Sequence, residues 1–498
     1  MRSSAWLFML LATQTLLAGA ALAGVPDVQP GLDALRAGRF EEAERQFSRL
    51  SHELPEAPEG PFFQAFEMWW KLLDRFHDRP GLRILMEAKL DEAARRASLL
   101  AESGSSSDQE RGLTFLGVAR LLDAQSKAVR GAHMGASSSA RQGHKALTEA
   151  LKRNPRSSDA LFAMGAYNYF ADNLPTLVKG IRFLLMIPGG NRNRGLAQLE
   201  EAAASSRLFG TEALMLLSFI YSAREEDDAA RALGYIEQAR RREPESPLIA
   251  LIHSDLLFEA GQLRESSEGA ARVEQSLRGQ EGYTEDLRRY ASFRVATCTL
   301  RRHDPLTALA LVEETLAASP PESSGERKRW MSLLFGAARE AGQPQRAAMW
   351  LDRLSMPPSE ADPWRRRLRE DRSDPIAPDR AEALHQAAGD RAADGLARLQ
   401  ALQAANPGDP RLRYDVGRLL QEAGRFEEAH PHLQAAARQA PPELAGWAFI
   451  RLGWELERSG RREEALDQYA RAAAMRRFTF QSAARLRLGQ RGAGPPEG

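Results

Sequence analysis

Nine histidines, one cysteine and several runs of paired carboxylates are the residues of this 498-residue chain that could do metal, nucleophilic or acid–base chemistry. The histidines at 52, 77, 133, 144, 253, 303 and 385 stand far apart, and His430 and His432 flank Pro431 at a spacing that points two rings to different faces of a helix. A lone Cys298 allows neither an internal disulfide nor a thiolate metal site, and its expected place is a small buried position on a helix. The acidic pairs Glu41-Glu42, Glu427-Glu428 and Glu463-Glu464 precede apolar runs, where negative charge favours a helix N-terminus. The run Gly189-Gly190-Asn191-Arg192-Asn193-Arg194-Gly195 has the glycines of a phosphate loop, but lacks the Lys-Ser/Thr that would follow and a strand that would precede it. No Gly-x-Ser-x-Gly elbow occurs. The expectation is a protein that is not an enzyme, with no metal and no cofactor.

Binding chemistry is better represented. Trp447 and Trp454 are seven apart with Arg451 between them, so the three share one helical face. An arginine beside indole rings suits an extended peptide or an acidic terminus. The alternative for the same tryptophans is packing against a terminal helix around Phe478 and Phe480. Basic and acidic residues balance, 68 against 67, so the excess of positive charge that neutralises phosphates is missing and nucleic acid is not an expected partner.

The elements that must position these residues repeat. Gly417, Gly424, Phe426, Ala429, Leu433, Ala436 and Pro441 recur 36 residues later as Gly453, Gly460, Arg462, Ala465, Tyr469, Ala472 and Arg477. Related copies follow Ala43, Ala232, Ala308 and Ala347. Small residues at fixed spacing let two antiparallel helices approach, and large residues fill the gaps beside them; neither helix buries its apolar face alone, so neighbours stack. The pattern resembles the tetratricopeptide repeat (TPR) family. That resemblance implies an all-α, TPR-type helical-hairpin solenoid, a right-handed superhelix of about eleven helix pairs. It also implies a concave groove lined by the first helix of each pair, which would expose Arg411, Tyr414, Asp415, Arg418 and Gln421, then Trp447, Ile450, Arg451, Trp454 and Arg458. Of the carboxylate clamp found in chaperone-binding members, Arg451 alone is matched. A protein or peptide partner is therefore expected, through Arg411, Tyr414, Arg418, Trp447, Arg451 and Trp454.

Residues 173–194 interrupt the register. Pro175 and Pro188-Gly189 bracket an apolar stretch that reads as an extra helix of about three turns, shorter than the ~20 residues needed to span a bilayer. It can be core, a partner interface, or a peripheral membrane or lipid contact through 175–187. From Gly165 to Ala203 the chain is loosely similar to inclusion-body-clearance TPR proteins and to the periplasmic TPR subunit of tripartite ATP-independent (TRAP) transporters. The alternative function is accordingly a small-molecule or lipid carrier, or a transporter-associated component, with Tyr167, Tyr169, Phe183, Arg192 and Arg194 as ligand candidates. The start of the following helix could hold a carboxylate, with Arg192 or Arg194 as counter-charge.

Residues 1–23 read as a signal peptide: Arg2, an apolar run, then Ala21-Leu22-Ala23 as cleavage site. Ala20 stands where a lipoprotein would need cysteine. The expectations are a periplasmic or secreted protein that is not a lipoprotein, a TPR-like array over 24–355, a Pro-rich linker over 356–379, a second array over 380–488, and a disordered tail over 489–498.

Overall fold

The computed structural model describes residues 26–74, 79–173, 188–223, 225–370, 374–489 and 495–498. Among them are 24 α-helices and no strand, and most successive helices pack against one another. The fold class is the all-α helical-hairpin solenoid that the repeat pattern implies. The expected signal peptide and the apolar stretch 175–187, with Phe183, lie outside the described residues.

The C-terminal pairs show how the repeat residues act. In Pro410–Glu422 with Phe426–Gln439, a Cβ on Gly417 would sit 2.9 Å from Leu433. In Pro442–Arg458 with Arg462–Ala474, one on Gly453 would lie 2.4 Å from the Tyr469 ring. The small residue thus receives the large one, and Leu433 and Tyr469 are fully buried. Each first helix ends on a left-handed residue, Gly424 (φ 77°) or Gly460 (φ 76°). There the next N–H turns back to the helix: Arg425 to the Leu420 carbonyl at 2.8 Å and Arg461 to that of Leu456 at 2.9 Å.

The chain forms two compact units. One comprises residues through Lys71 together with Pro80–Leu208. It holds an aromatic core of Phe47, Phe62, Phe63 and Phe115, with centroid separations of 5.4 Å for Phe47–Phe63 and 5.2 Å for Phe62–Phe115. Three long helices, Pro80–Ser103, Ser106–Val129 and His133–Arg153, pack in sequence. Next, Ser158–Asp172 crosses Arg192–Ser205 so closely that a Cβ on Gly165 would be 3.0 Å from the Gly195 carbonyl oxygen.

The other unit comprises Leu72–Arg79 and Phe209–Gly498. The compact units therefore divide at 208/209, not at the expected linker. Part of that linker is the helix Pro358–Glu370, whose Ala361 is buried and whose Glu360 pairs with Arg327 at 2.8 Å. Pro358 opens this helix, where its missing N–H has no intrahelical partner to lose. The second unit also closes on itself. Phe480 meets Phe258 with centroids 5.1 Å apart, Arg485 pairs with Asp227, and Asp304 holds the ring of His385 at 3.2 Å.

Candidate functional site

The arginines and aromatics of the two C-terminal first helices meet in the second unit, on a face that the closure covers. Tyr414 and Arg451 are fully buried, Trp447 and Arg418 nearly so; only Arg411 and Trp454 keep substantial exposure. The open groove expected for these residues is thus filled, and the occupant is the segment 495–498 of the same chain. Arg451 Nε donates to the Gly498 oxygen at 3.0 Å, and a terminal nitrogen donates to the Pro496 carbonyl at 3.1 Å. The Tyr414 hydroxyl donates to the same Gly498 oxygen at 2.5 Å. Gly498 lies so tightly on the Trp447 indole that a Cβ would clash with the ring at Cε2. The tail expected to be disordered is, over residues 495–498, packed on this face.

The remaining contacts hold the guanidinium of Arg451 in place. It donates to Gln421 Oε1 at 3.2 Å, to Glu422 Oε1 at 3.0 Å and to the Tyr414 oxygen at 3.3 Å, while Gln421 Nε2 donates to the Arg451 carbonyl at 3.1 Å. Arg418 donates to both Glu422 oxygens at 3.1–3.2 Å. Against the cost of desolvation, Arg418 and Arg451 hold the Glu422 carboxyl below its ordinary range. Burial pushes the Tyr414 hydroxyl up, with the neighbouring arginines opposing, so it stays a donor. Beneath them Asp415 is fully buried and paired with Arg380, Nε to Oδ2 at 2.6 Å, and Arg380 also reaches Glu340 at 2.8 Å. Arg411 instead pairs with Asp409 at 2.6 Å and with Asp374, at the rim of the face.

The two tryptophans part company. Trp447 packs against Phe478 and Phe480, centroids 5.8 and 5.0 Å away, which is the terminal-helix alternative. Trp454 instead lies tilted against Phe426 at 5.8 Å, under the guanidinium of Arg458 at 5.2 Å. They do not form one platform around Arg451.

One residue of this site was not singled out. His303 ends the helix Tyr283–Arg301 in the left-handed conformation, φ 63°, with its ring 5.5 Å from Tyr414. Its Nε2 is buried without a hydrogen-bond partner, as is Arg418 Nε. Burial, and then Arg418, Arg380 and Arg451, push its pKa far down, so the ring is neutral. The repeat register contained the signal. Five residues before a buried small residue stands the left-handed turn: Gly38 before Ala43, Gly342 before Ala347, Gly424 before Ala429, Gly460 before Ala465. By the same count His303 precedes Ala308 and Asp227 precedes Ala232, two non-glycines at positive φ.

In the first unit, two of the ligand candidates near the insertion, Tyr167 and Tyr169, are packing residues. Tyr167 and Tyr169 are buried; the Tyr167 hydroxyl donates to the Pro188 carbonyl at 2.7 Å, and its ring lies 4.7 Å from His144. The carboxylate expected at the next helix start is the chain's own: Asp172 accepts the Arg192 N–H at 3.0 Å, and Asn191 accepts that of Arg194 at 2.8 Å. The Arg194 side chain is exposed, and Arg192 reaches Asn193 at 3.0 Å. A separate open groove of about 540 Å³ lies among Arg95, Leu99, Leu113, Leu116, Arg120 and Lys145. Among the described residues no cluster of metal-ligand side chains occurs, and no helix is long and apolar enough to cross a membrane.

No family model matches the chain, and no curated protein matches it in sequence. Among solved structures it is similar to yeast Tom70, at 12% identity and a TM-score of 0.32, over 91% of this chain and 87% of that one. It is also similar to the human IFIT1 dimer with m7Gppp-AAAA, at 13% identity and a TM-score of 0.32, over 90% of each chain.

Proposed function

We propose that this chain is a protein-interaction scaffold whose C-terminal helix pairs bind an extended peptide through its main chain. The observation that carries the reading is the hydrogen bonding of Arg451 and Tyr414 to main-chain oxygens of residues 496 and 498. Hydrogen bonding to the main chain is a recurring mode of peptide capture. The Arg451 guanidinium is fixed by Gln421 and Glu422 independently of the strand, so little ordering is left to lose on binding. On this reading the protein binds rather than catalyses, and residues 1–23 direct it to the periplasm or outside the cell.

A photo-crosslinking side chain at Arg411, at the rim of the site, tests the reading in cells. Expected are partner peptides joined at position 411, with a yield that falls in Tyr414→Phe. No partner cross-link at position 411 in folded protein, or a yield indifferent to Tyr414→Phe, would overturn it.

A further inference from the structure

We propose that residues 496–498 are a displaceable internal ligand, and that the partner they exclude is an extended Pro-acidic-Gly segment. The inference rests on the peptide-binding reading above and adds both the regulation of that face and the chemistry of what it accepts.

Three contacts, one per residue, define the segment. The Pro496 carbonyl accepts from Arg451. The Glu497 carboxyl, pushed up in pKa by burial and by the Glu265 carboxyl it hydrogen-bonds, accepts the backbone N–H of Arg264, in the first turn of Leu263–Ser276, where helix N–H groups lack partners. The Gly498 oxygen takes donors from both Arg451 and Tyr414 while its Cα lies on the Trp447 indole. The first contact reads the main chain, the second selects an acidic side chain, and the third excludes any side chain at all. A site this specific for residues the chain itself supplies is occupied in cis at the high effective concentration of a short tether, and a partner must compete with that.

The experiment uses a fluorescein-labelled, C-terminally amidated peptide of residues 489–498, read by anisotropy. Its receptors are the full chain, a chain ending at Gly489, and full-chain Gly498→Ala, with melting curves confirming that each is folded. The shortened chain is expected to bind the probe, the full chain at least ten-fold more weakly, and Gly498→Ala to approach the shortened chain because its own tail no longer fits. A probe carrying Gly498→Ala or Glu497→Gln should bind the shortened chain at least ten-fold more weakly than the natural one. Equal binding by the full and shortened chains, or no binding by a folded shortened chain, overturns the proposal. In either case Tyr414-dependent partner cross-links at Arg411 would show that the peptide-binding reading survives without it, and their absence that both have failed.

Discussion

At the scale of single residues, the site is built from charges that the interior tolerates only in company. Arg380 and Asp415 are both buried and paired, so removing one leaves the other uncompensated. Arg380→Met is expected to cost about 3 kcal/mol or more in urea unfolding, and the added Asp415→Leu to recover most of it. His303 gives the pH response. Its folded pKa lies far below the unfolded value, so stability is complete above the ordinary histidine range and is lost as pH falls below it, because the unfolded chain alone takes the proton. The slope from this one group is at most about 1.4 kcal/mol per pH unit. His303→Asn keeps a side chain that tolerates positive φ and does not titrate there. It should flatten the fall in melting temperature between about pH 6.5 and 5.5; an unchanged fall would assign the effect to other histidines with lowered pKa, such as the half-buried His253. Arg451 was legible from its spacing with Trp447. That both would be covered was not, because burial depends on residues 496–498 and on Phe478 and Phe480, which helical periodicity does not relate to them.

At the scale of elements, the interlock of small and large residues sets how closely helices pack. A Cβ on Gly195 would fall 2.6 Å from the Tyr169 nitrogen, whereas Gly408 has open space around it. Gly195→Val should destabilise by about 1–3 kcal/mol and Gly408→Ala should change little, compared by thermal melting. Repeats of this kind are readable because each pair is a local unit whose pattern returns at fixed spacing. The stretch 356–379 misled for the converse reason. Five prolines suggest a linker, but Pro358 sits at a helix start, and the contacts that keep Pro358–Glu370 in place, such as Glu360 with Arg327, come from another element.

At the scale of the whole molecule, the signal-like start makes a prediction independent of the site. Protein recovered from the periplasm or medium should begin at Gly24, as checked by intact mass; a chain retaining residues 1–23 would count against secretion. The amino-acid sequence alone determined the all-α class, the pairing of neighbouring helices and the turn positions, since each rests on residues within one or two repeats. Tertiary structure decided where the compact units divide, and that the second one closes so that Phe480 reaches Phe258 and Gly498 reaches Arg451 and Tyr414. A stack of near-identical pairs can curve open or closed, depending on small rotations summed over many interfaces. No local pattern records that sum, and it is what turned an expected open groove into a face already holding a peptide.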